Sequence, residues 1–180
     1  MRLTIPYYAQ KKDYTCGPAT LEMVFSFLGH VMSQGKLVKA LKVRKGTGTP
    51  NWQMINGARK QGFHVYVNDD ATIPEVKFFL NQGLPVIVNY IEPSEDEAHF
   101  AVVIGYGGLI GNLILNDPWN GANFRIREKD FVSRWYSQEK KHKRWFMVVS
   151  HKPFQLGRQY APLGVHKKKG SAAPHSSPHA

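Results

Sequence analysis

The segment from Gln10 to Gly29 constrains the fold of this 180-residue chain most strongly, because it carries the only cysteine. Cys16 follows a polar run and directly precedes Gly-Pro and an apolar periodicity, which together predict a buried helix that ends at Gly29. A cysteine in the first turn of a helix lies beside free backbone N–H groups, which favour the thiolate. The alternative is that Cys16 is a small, inert core residue.

Composition limits the class of protein. With 42% hydrophobic and 12% aromatic residues, the chain has enough apolar side chains for one globular domain. We place that domain at residues 1–151, followed by a basic, largely disordered tail at residues 152–180. The N-terminus lacks the apolar segment of a signal peptide, and no apolar run approaches the roughly 18 residues that span a bilayer. A single cysteine suits a reducing compartment, so we expect a cytoplasmic protein, with export by another route left open.

The net charge of +11 has two interpretations, a solvated basic face or a site for acidic substrates and polyanions. No zinc-finger spacing, recognition-helix pattern or RNA-binding aromatic motif accompanies the basic clusters, so we expect no specific nucleic-acid partner. The sequence also lacks metal-ligand spacing and a phosphate-binding loop, and we therefore expect neither a metal nor a cofactor. The oligomeric state is not indicated.

The hydrophobic patterns predict helices in the first third of the chain and strands later. The predicted helices lie at residues 16–28, 34–41 with Ser33 as the N-cap, 51–61, 74–80 and 129–136. The predicted strands lie at residues 3–8 at a sheet edge, 63–67, 84–90, 99–106, 113–117, 124–126 and 145–150. This order predicts an α+β fold in which the Cys16 helix packs on a mostly antiparallel sheet.

A nucleophilic cysteine needs a base, a group that orients the base, and donors for an oxyanion. His99 begins one predicted strand and Asp117 ends the next, and antiparallel neighbours joined by a short hairpin bring such ends together. One imidazole nitrogen of His99 can then face Asp117 while the other faces Cys16. The Gln10 amide and the backbone N–H of Cys16 are candidate oxyanion donors. Taken singly, a histidine is more often structural, an aspartate before proline a turn residue, and a glutamine a surface residue.

Four motifs together carry a family resemblance. They are Ile5–Gln10, Cys16–Ala19, Ala98–Tyr106 and Asn116–Trp119. In this order, and over about residues 3–150, the chain resembles the papain-like cysteine peptidases of the bacteriocin-processing, double-glycine-leader type. The resemblance implies a papain-like fold in which Cys16 is the nucleophile, His99 the general base and then acid, Asp117 the orienting residue and Gln10 the oxyanion donor.

The resemblance implies hydrolysis of a peptide or amide bond through a thioester acyl-enzyme, with a peptide or protein as substrate. Members of that family typically cleave leader peptides after a Gly-Gly pair, often as domains fused to a membrane transporter. This sequence shows no transporter segment, so leader processing does not follow from the resemblance. The alternative is a non-catalytic papain-like module that binds peptides or polyanions through a basic face with Lys36, Lys39 and Lys42.

Overall fold

One antiparallel sheet runs through the described part of the chain, which is residues 1–137, 142–155 and 157–164 of a computed structural model. The helices are α1 Cys16–Phe27, α2 Gln34–Ala40, α3 Asn51–Lys60, α4 Ile73–Asn81 and α5 Glu128–Arg134. The strands are β1 His64–Asn68, β2 Val86–Ile91, β3 Ala98–Gly107, β4 Asn112–Asp117, β5 Gly121–Arg127, β6 Phe146–Ser150 and β7 Arg158–Tyr160. The strand order is β5-β4-β3-β2-β6-β1-β7, and every neighbouring pair is antiparallel.

Helices cover both faces of the sheet. Leu21, Leu37 and Met54 belong to the buried cluster that α1, α2 and α3 form on the first face. Leu80 and Phe131 belong to the cluster that α4 and α5 form on the second face. The predicted α+β fold is therefore confirmed.

Burial on both faces explains the continuous apolar runs of the central strands. Successive side chains of a strand point to opposite faces. In β3, Phe100 and Val102 belong to the first cluster, whereas Ala101 and Val103 belong to the second. Each face therefore receives its own apolar set from one uninterrupted run.

Helix α1 ends as the sequence predicts. Gly29 has a φ of +79°, a conformation that costs glycine little. Its N–H donates to the Ser26 carbonyl at 3.1 Å, and the His30 N–H donates to the Phe25 carbonyl at 2.8 Å. This pair of hydrogen bonds is the Schellman arrangement.

The prediction of an edge strand at residues 3–8 is wrong. The N-terminal segment pairs with β3 only through residues 1–3 among the described contacts. Met1 exchanges two hydrogen bonds with Tyr106, Arg2 forms an isolated bridge with Gly105, and the Leu3 N–H donates to the Ile104 carbonyl at 2.8 Å. The Ile5 carbonyl accepts instead from the side chain of Asn116 at 3.1 Å. The following residue, Pro6, has no N–H to continue a ladder.

Two helix details also differ from expectation. Ser33 is the N-cap residue of α2, but its hydroxyl makes no capping hydrogen bond. Trp52, a large apolar side chain in the first turn of α3 that would be expected to pack in the core, is 60% exposed.

The sheet continues past residue 151, where the sequence analysis ended the domain. In β7, Tyr160 pairs with Val65 of β1, and the Arg59 side chain donates to the Ala161 carbonyl at 2.8 Å. The segment at residues 158–160 therefore belongs to the sheet, and the division at residue 151 stays a prediction. Residues 165–180, with most of the predicted tail, lie outside the described residues. None of the described helices combines the length and apolar character needed to cross a bilayer.

Candidate active site

Cys16 is the first residue of α1, and it lines a cleft of about 390 Å³. The N-cap residue, Thr15, makes no side-chain capping bond to the helix, because its hydroxyl contacts the Lys12 carbonyl and Gln34 Oε1. The first turn of α1 therefore keeps backbone N–H groups available near the thiol.

Close packing at Gly17 fixes the position of this first turn. A Cβ at residue 17 would lie 2.8 Å from the Cβ of Thr49 and 3.0 Å from Met54 Sδ. Only glycine allows α1 to approach the segment before α3 so closely. The loop at residues 46–48, which precedes Thr49, consequently forms one wall of the cleft.

The structure brings His99 and Asp117 to Cys16. His99, near the start of β3, and Asp117, the last residue of β4, are joined by a 3.1 Å contact between Nε2 and Oδ1. The side chains of His99 and Cys16 are also hydrogen-bond partners. Because Nε2 contacts Asp117, the ring nitrogen that remains for Cys16 is Nδ1. His99 is 6% exposed and Asp117 is fully buried.

Both carboxylate oxygens of Asp117 are hydrogen-bonded. Besides His99, Oδ1 accepts from the backbone N–H groups of Trp119 at 2.9 Å and Asn120 at 2.8 Å. Oδ2 accepts from the Tyr90 hydroxyl at 2.6 Å. Burial alone would raise the pKa of Asp117, but these bonds and the charge of His99 lower it below its ordinary value. Asp117 is therefore ionised at neutral pH.

The ionisation of the thiol and the imidazole is coupled. Burial opposes the charged form of Cys16, yet its pKa is lowered by the hydrogen bond and charge of His99 and by bonds to the backbone N–H groups of Phe100 and Gly17. Burial likewise opposes charge on His99, but Asp117 and Cys16 raise its pKa to about 10. The favoured state at neutral pH is a thiolate paired with an imidazolium.

Gln10 is close to this site but not oriented as the oxyanion donor that the sequence analysis predicts. Its Nε2 donates to the carbonyls of Lys12 at 3.0 Å and Asp13 at 3.1 Å, while its Oε1 is buried and has no partner in the described part of the chain. Its backbone N–H donates to the Pro118 carbonyl at 3.1 Å. In this structure Gln10 holds the loop before Cys16 against the end of β4, so oxyanion donation would require the amide to turn and stays a prediction.

Tyr90 is a further residue of the site that the sequence pattern does not single out. This residue reads as one more apolar position of a strand, but it pairs directly with His99 in the β2–β3 ladder and is fully buried. Burial and the charge of Asp117 raise the pKa of the Tyr90 hydroxyl, which therefore stays a donor. Aligning the two strands across the loop at residues 92–97 would have placed Tyr90 opposite His99.

The acidic loop at residues 92–97 is held by one of its own carboxylates. Glu92 is 2% exposed, and it accepts hydrogen bonds from the N–H groups of Ser94 and Glu95 and from Asn120. Burial would raise the pKa of Glu92, but these donors lower it. Because Asn120 also donates to Asp117, the loop is connected to the site. Within the described residues, no cluster of histidine, cysteine and acidic side chains could hold a metal ion.

Sequence comparison decides the family. A family model described as the Peptidase_C39-like family matches residues 2–143. The chain belongs to this family. It therefore contains a cysteine peptidase domain by descent, which confirms the suspected resemblance. No curated protein sequence matches the chain.

Several solved structures share the fold of this chain. The peptidase domain of Streptococcus ComA, a bifunctional ABC transporter involved in a quorum-sensing pathway, is 24% identical with a TM-score of 0.65, over 81% of this chain and 98% of that domain. A double-glycine-motif protease from an AMS/PCAT transporter, solved with its leader peptide, is 19% identical with a TM-score of 0.64, over 82% and 92%. A C39-like peptidase from Bacillus anthracis is 15% identical with a TM-score of 0.67, over 83% and 96%.

Proposed function

We propose that this protein is a cysteine peptidase that hydrolyses a peptide or amide bond through Cys16, His99 and Asp117. The observation that carries the proposal is the position of His99, which hydrogen-bonds Cys16 on one side and Asp117 on the other. Family membership supports the same chemistry.

In the proposed mechanism, the Cys16 thiolate attacks the substrate carbonyl, and the carbonyl oxygen becomes an oxyanion. The backbone N–H of Cys16 and the Gln10 amide stabilise that charge once the amide turns towards it. The His99 imidazolium gives its proton to the leaving amine, and the C–N bond breaks to form a thioester. Neutral His99 then takes a proton from water, which attacks the thioester. The acid is released, and the Cys16 thiolate is again paired with the His99 imidazolium. Asp117 holds the ring in the required orientation.

The proposed substrate is a peptide. The AMS/PCAT neighbour is a double-glycine-motif protease in complex with a leader peptide, so peptides with an internal Gly-Gly pair are the first substrates to test. We propose the cytoplasm as the location, because a lone thiolate persists best in a reducing compartment.

The first experiment measures the rate of Cys16 alkylation by iodoacetamide against pH. In the wild type we expect fast reaction well below pH 8.5, the region of an ordinary thiol, because the thiolate is paired with His99. In His99→Ala we expect the midpoint to move upward. A wild-type thiol that titrates near pH 8.5 would contradict the proposal, and so would peptide hydrolysis that survives Cys16→Ala.

A second candidate function is peptide or polyanion binding without catalysis. Lys36, Lys39 and Lys42 are all exposed on or just after α2, and the chain carries a net charge of +11. Binding through this face would survive Cys16→Ala but weaken with added salt and with replacement of the three lysines. The same Cys16→Ala protein therefore discriminates the two functions.

A further inference from the structure

A second cavity adjoins the Cys16 cleft. It has a volume of about 550 Å³ and shares Thr47 and Ala98 with the lining of the cleft. Trp52 and Trp145 contribute apolar surface, and Asn51 and Asn89 contribute polar groups. A substrate that extends from Cys16 past these shared residues would therefore enter the second cavity.

The two asparagines leave hydrogen-bonding groups unpaired. Asn89 Nδ2 donates to Asn51 Oδ1 at 3.0 Å, whereas Asn51 Nδ2 and Asn89 Oδ1 are shielded from solvent and have no partner among the described residues. Thr49 Oγ1, which belongs to the same cavity lining, is a third such atom. Turning both amides over would preserve the bond between them and again leave one donor and one acceptor.

Unpaired buried polar groups are rare in folded proteins and commonly mark a place where a water or ligand completes the hydrogen bonds. Both residues line the open cavity, and a small rotation of either side chain would bring its unpaired group to a ligand there. The hydrogen bond that then forms replaces none that the group makes in this structure. One amide group, with its C=O and its N–H, matches this donor and acceptor. A carboxylate does not match, because it would bring a second acceptor to Asn89 Oδ1.

We propose that Asn51 and Asn89 form an amide-recognition site that holds one amide group of the peptide substrate during cleavage at Cys16. This inference rests on the proposed peptidase function. The amide comes either from the substrate backbone or from an Asn or Gln side chain. Both asparagines are specificity-determining residues, since neither contacts the reacting atoms.

The test uses peptides that alkylate Cys16, the only thiol of the chain. Acetyl-Gln-Gly-Gly chloromethyl ketone extends to one side of the thiol, and chloroacetyl-Gly-Gln amide extends to the other. Each probe is also made with Leu in place of Gln, and with backbone N-methyl groups. The 180-residue chain is reacted with each probe, and the second-order rate constant is followed by intact mass.

The variants are Asn51→Leu and Asn89→Leu, with Asn56→Leu as the matched control. Asn56 lies on the same helix, where it contacts Arg59, and it is absent from the cavity lining. We expect the two cavity variants to react roughly tenfold more slowly than the wild type with an amide probe from at least one series. Their rates with iodoacetamide, and all rates of the control, should equal those of the wild type. If the exchange of Gln for Leu lowers the rate constant with the wild type, the recognised amide is that of the side chain. If N-methylation lowers it, the recognised amide belongs to the backbone.

Equal probe rates in the wild type and both cavity variants, in both series, would overturn the amide site. If a leucine variant unfolds early in thermal melting, Asn51→Asp replaces it, because that carboxylate still accepts from Asn89 but cannot donate. Failure of the peptidase proposal is distinguishable, since it shows as an ordinary, slow thiol towards iodoacetamide. In that case the rate constants are measured at pH 9, where any thiol reacts. The ratio of the wild-type rate constant to that of each cavity variant then still tests the amide site.

Discussion

The Asp117 carboxylate combines complete burial with four hydrogen bonds, from His99, Tyr90 and two backbone N–H groups. A buried anion is stable only when its lone pairs are satisfied in this way. Its orientation therefore depends on Tyr90 as much as on the turn after β4. We infer that Tyr90 is a positioning residue, which acts on His99 through Asp117.

Replacement of Tyr90 by phenylalanine tests this role. Tyr90→Phe removes the bond to Asp117 Oδ2 and should lower the free energy of unfolding by about 1–3 kcal/mol. The pKa of Asp117 should rise, because one of its stabilising donors is lost, and the acid limb of Cys16 alkylation should move upward with it. The matched control is Tyr106→Phe, which removes a hydroxyl bonded to Asn81 far from Cys16. If the pH profile of Cys16 alkylation is unchanged in Tyr90→Phe, Tyr90 has only a structural role.

The coupled ionisation of Cys16 and His99 predicts how stability depends on pH. The folded pKa of Cys16 is lowered, so its contribution is complete above its unfolded pKa near 8.5. The folded pKa of His99 is raised from about 6.5 to about 10, so its contribution is lost as the pH rises towards 10. From pH 7 to 8.5 the gain in stability from Cys16 and the loss from His99 oppose each other as the pH rises. Above pH 8.5 only the loss from His99 remains, at up to about 1.4 kcal/mol per pH unit.

Urea unfolding at a series of pH values measures this profile. We expect the wild type to lose stability between pH 8.5 and 10 more steeply than the double variant Cys16→Ala, His99→Gln, which lacks both titrating groups. The single variant His99→Gln is unsuitable, because burial without His99 raises the pKa of the remaining thiol. All other groups are the same in both proteins, so their contributions cancel in the comparison. Parallel profiles would show that His99 is not protonated in the folded state.

At the scale of a single element, the start of α1 depends on the absence of a side chain at Gly17. Gly17→Ala should displace the first helical turn, because its Cβ would lie 2.8 Å from Thr49. We expect a loss of about 1–3 kcal/mol in unfolding free energy and slower alkylation of Cys16. The control is Gly35→Ala in α2, where nothing lies within 4 Å of the added Cβ. That change should stabilise the helix by about 0.5–1 kcal/mol. Equal effects of the two changes would contradict the packing argument.

Sequence patterns predicted the elements whose apolar periodicity is long. Such runs predict helix α1 and the strands β2, β3 and β4. They also predict that His99 lies near the start of β3 and that Asp117 lies at the end of β4. The strand at residues 3–8 fails because the Ile5 carbonyl is taken by a side chain from β4, a tertiary contact that no local pattern contains. The orientation of Gln10 and the bond from Tyr90 also depend on distant partners, so the residues of the candidate site could be predicted better than their contacts.

At the scale of the whole molecule, β7 closes one end of the sheet. Its three residues, Arg158, Gln159 and Tyr160, have no apolar alternation, which is why the sequence analysis ended the domain before them. They are held by pairing with β1 and by the contact of Arg59 with the Tyr160 ring. The sheet therefore includes chain that composition alone assigns to a tail.

Truncation tests this boundary. A chain that ends at residue 151 loses β7 and leaves β1 as an open edge, whereas a chain that ends at residue 164 keeps it. We expect the shorter chain to be less stable than the longer one by about 2 kcal/mol or more, from the lost backbone hydrogen bonds. Urea unfolding of the two chains measures the difference. Equal stabilities of the two chains would show that the folded domain ends at residue 151.

The single thiol of this chain has a consequence for oxidation. A thiolate held in a cleft reacts with peroxides to form a sulfenic acid, and Cys16 has the lowered pKa that favours this reaction. Because the chain contains no other cysteine, the sulfenic acid has no partner with which to form an internal disulfide. Recovery then depends on a small thiol that can enter the cleft, and continued exposure to peroxide converts Cys16 irreversibly to the sulfinic acid.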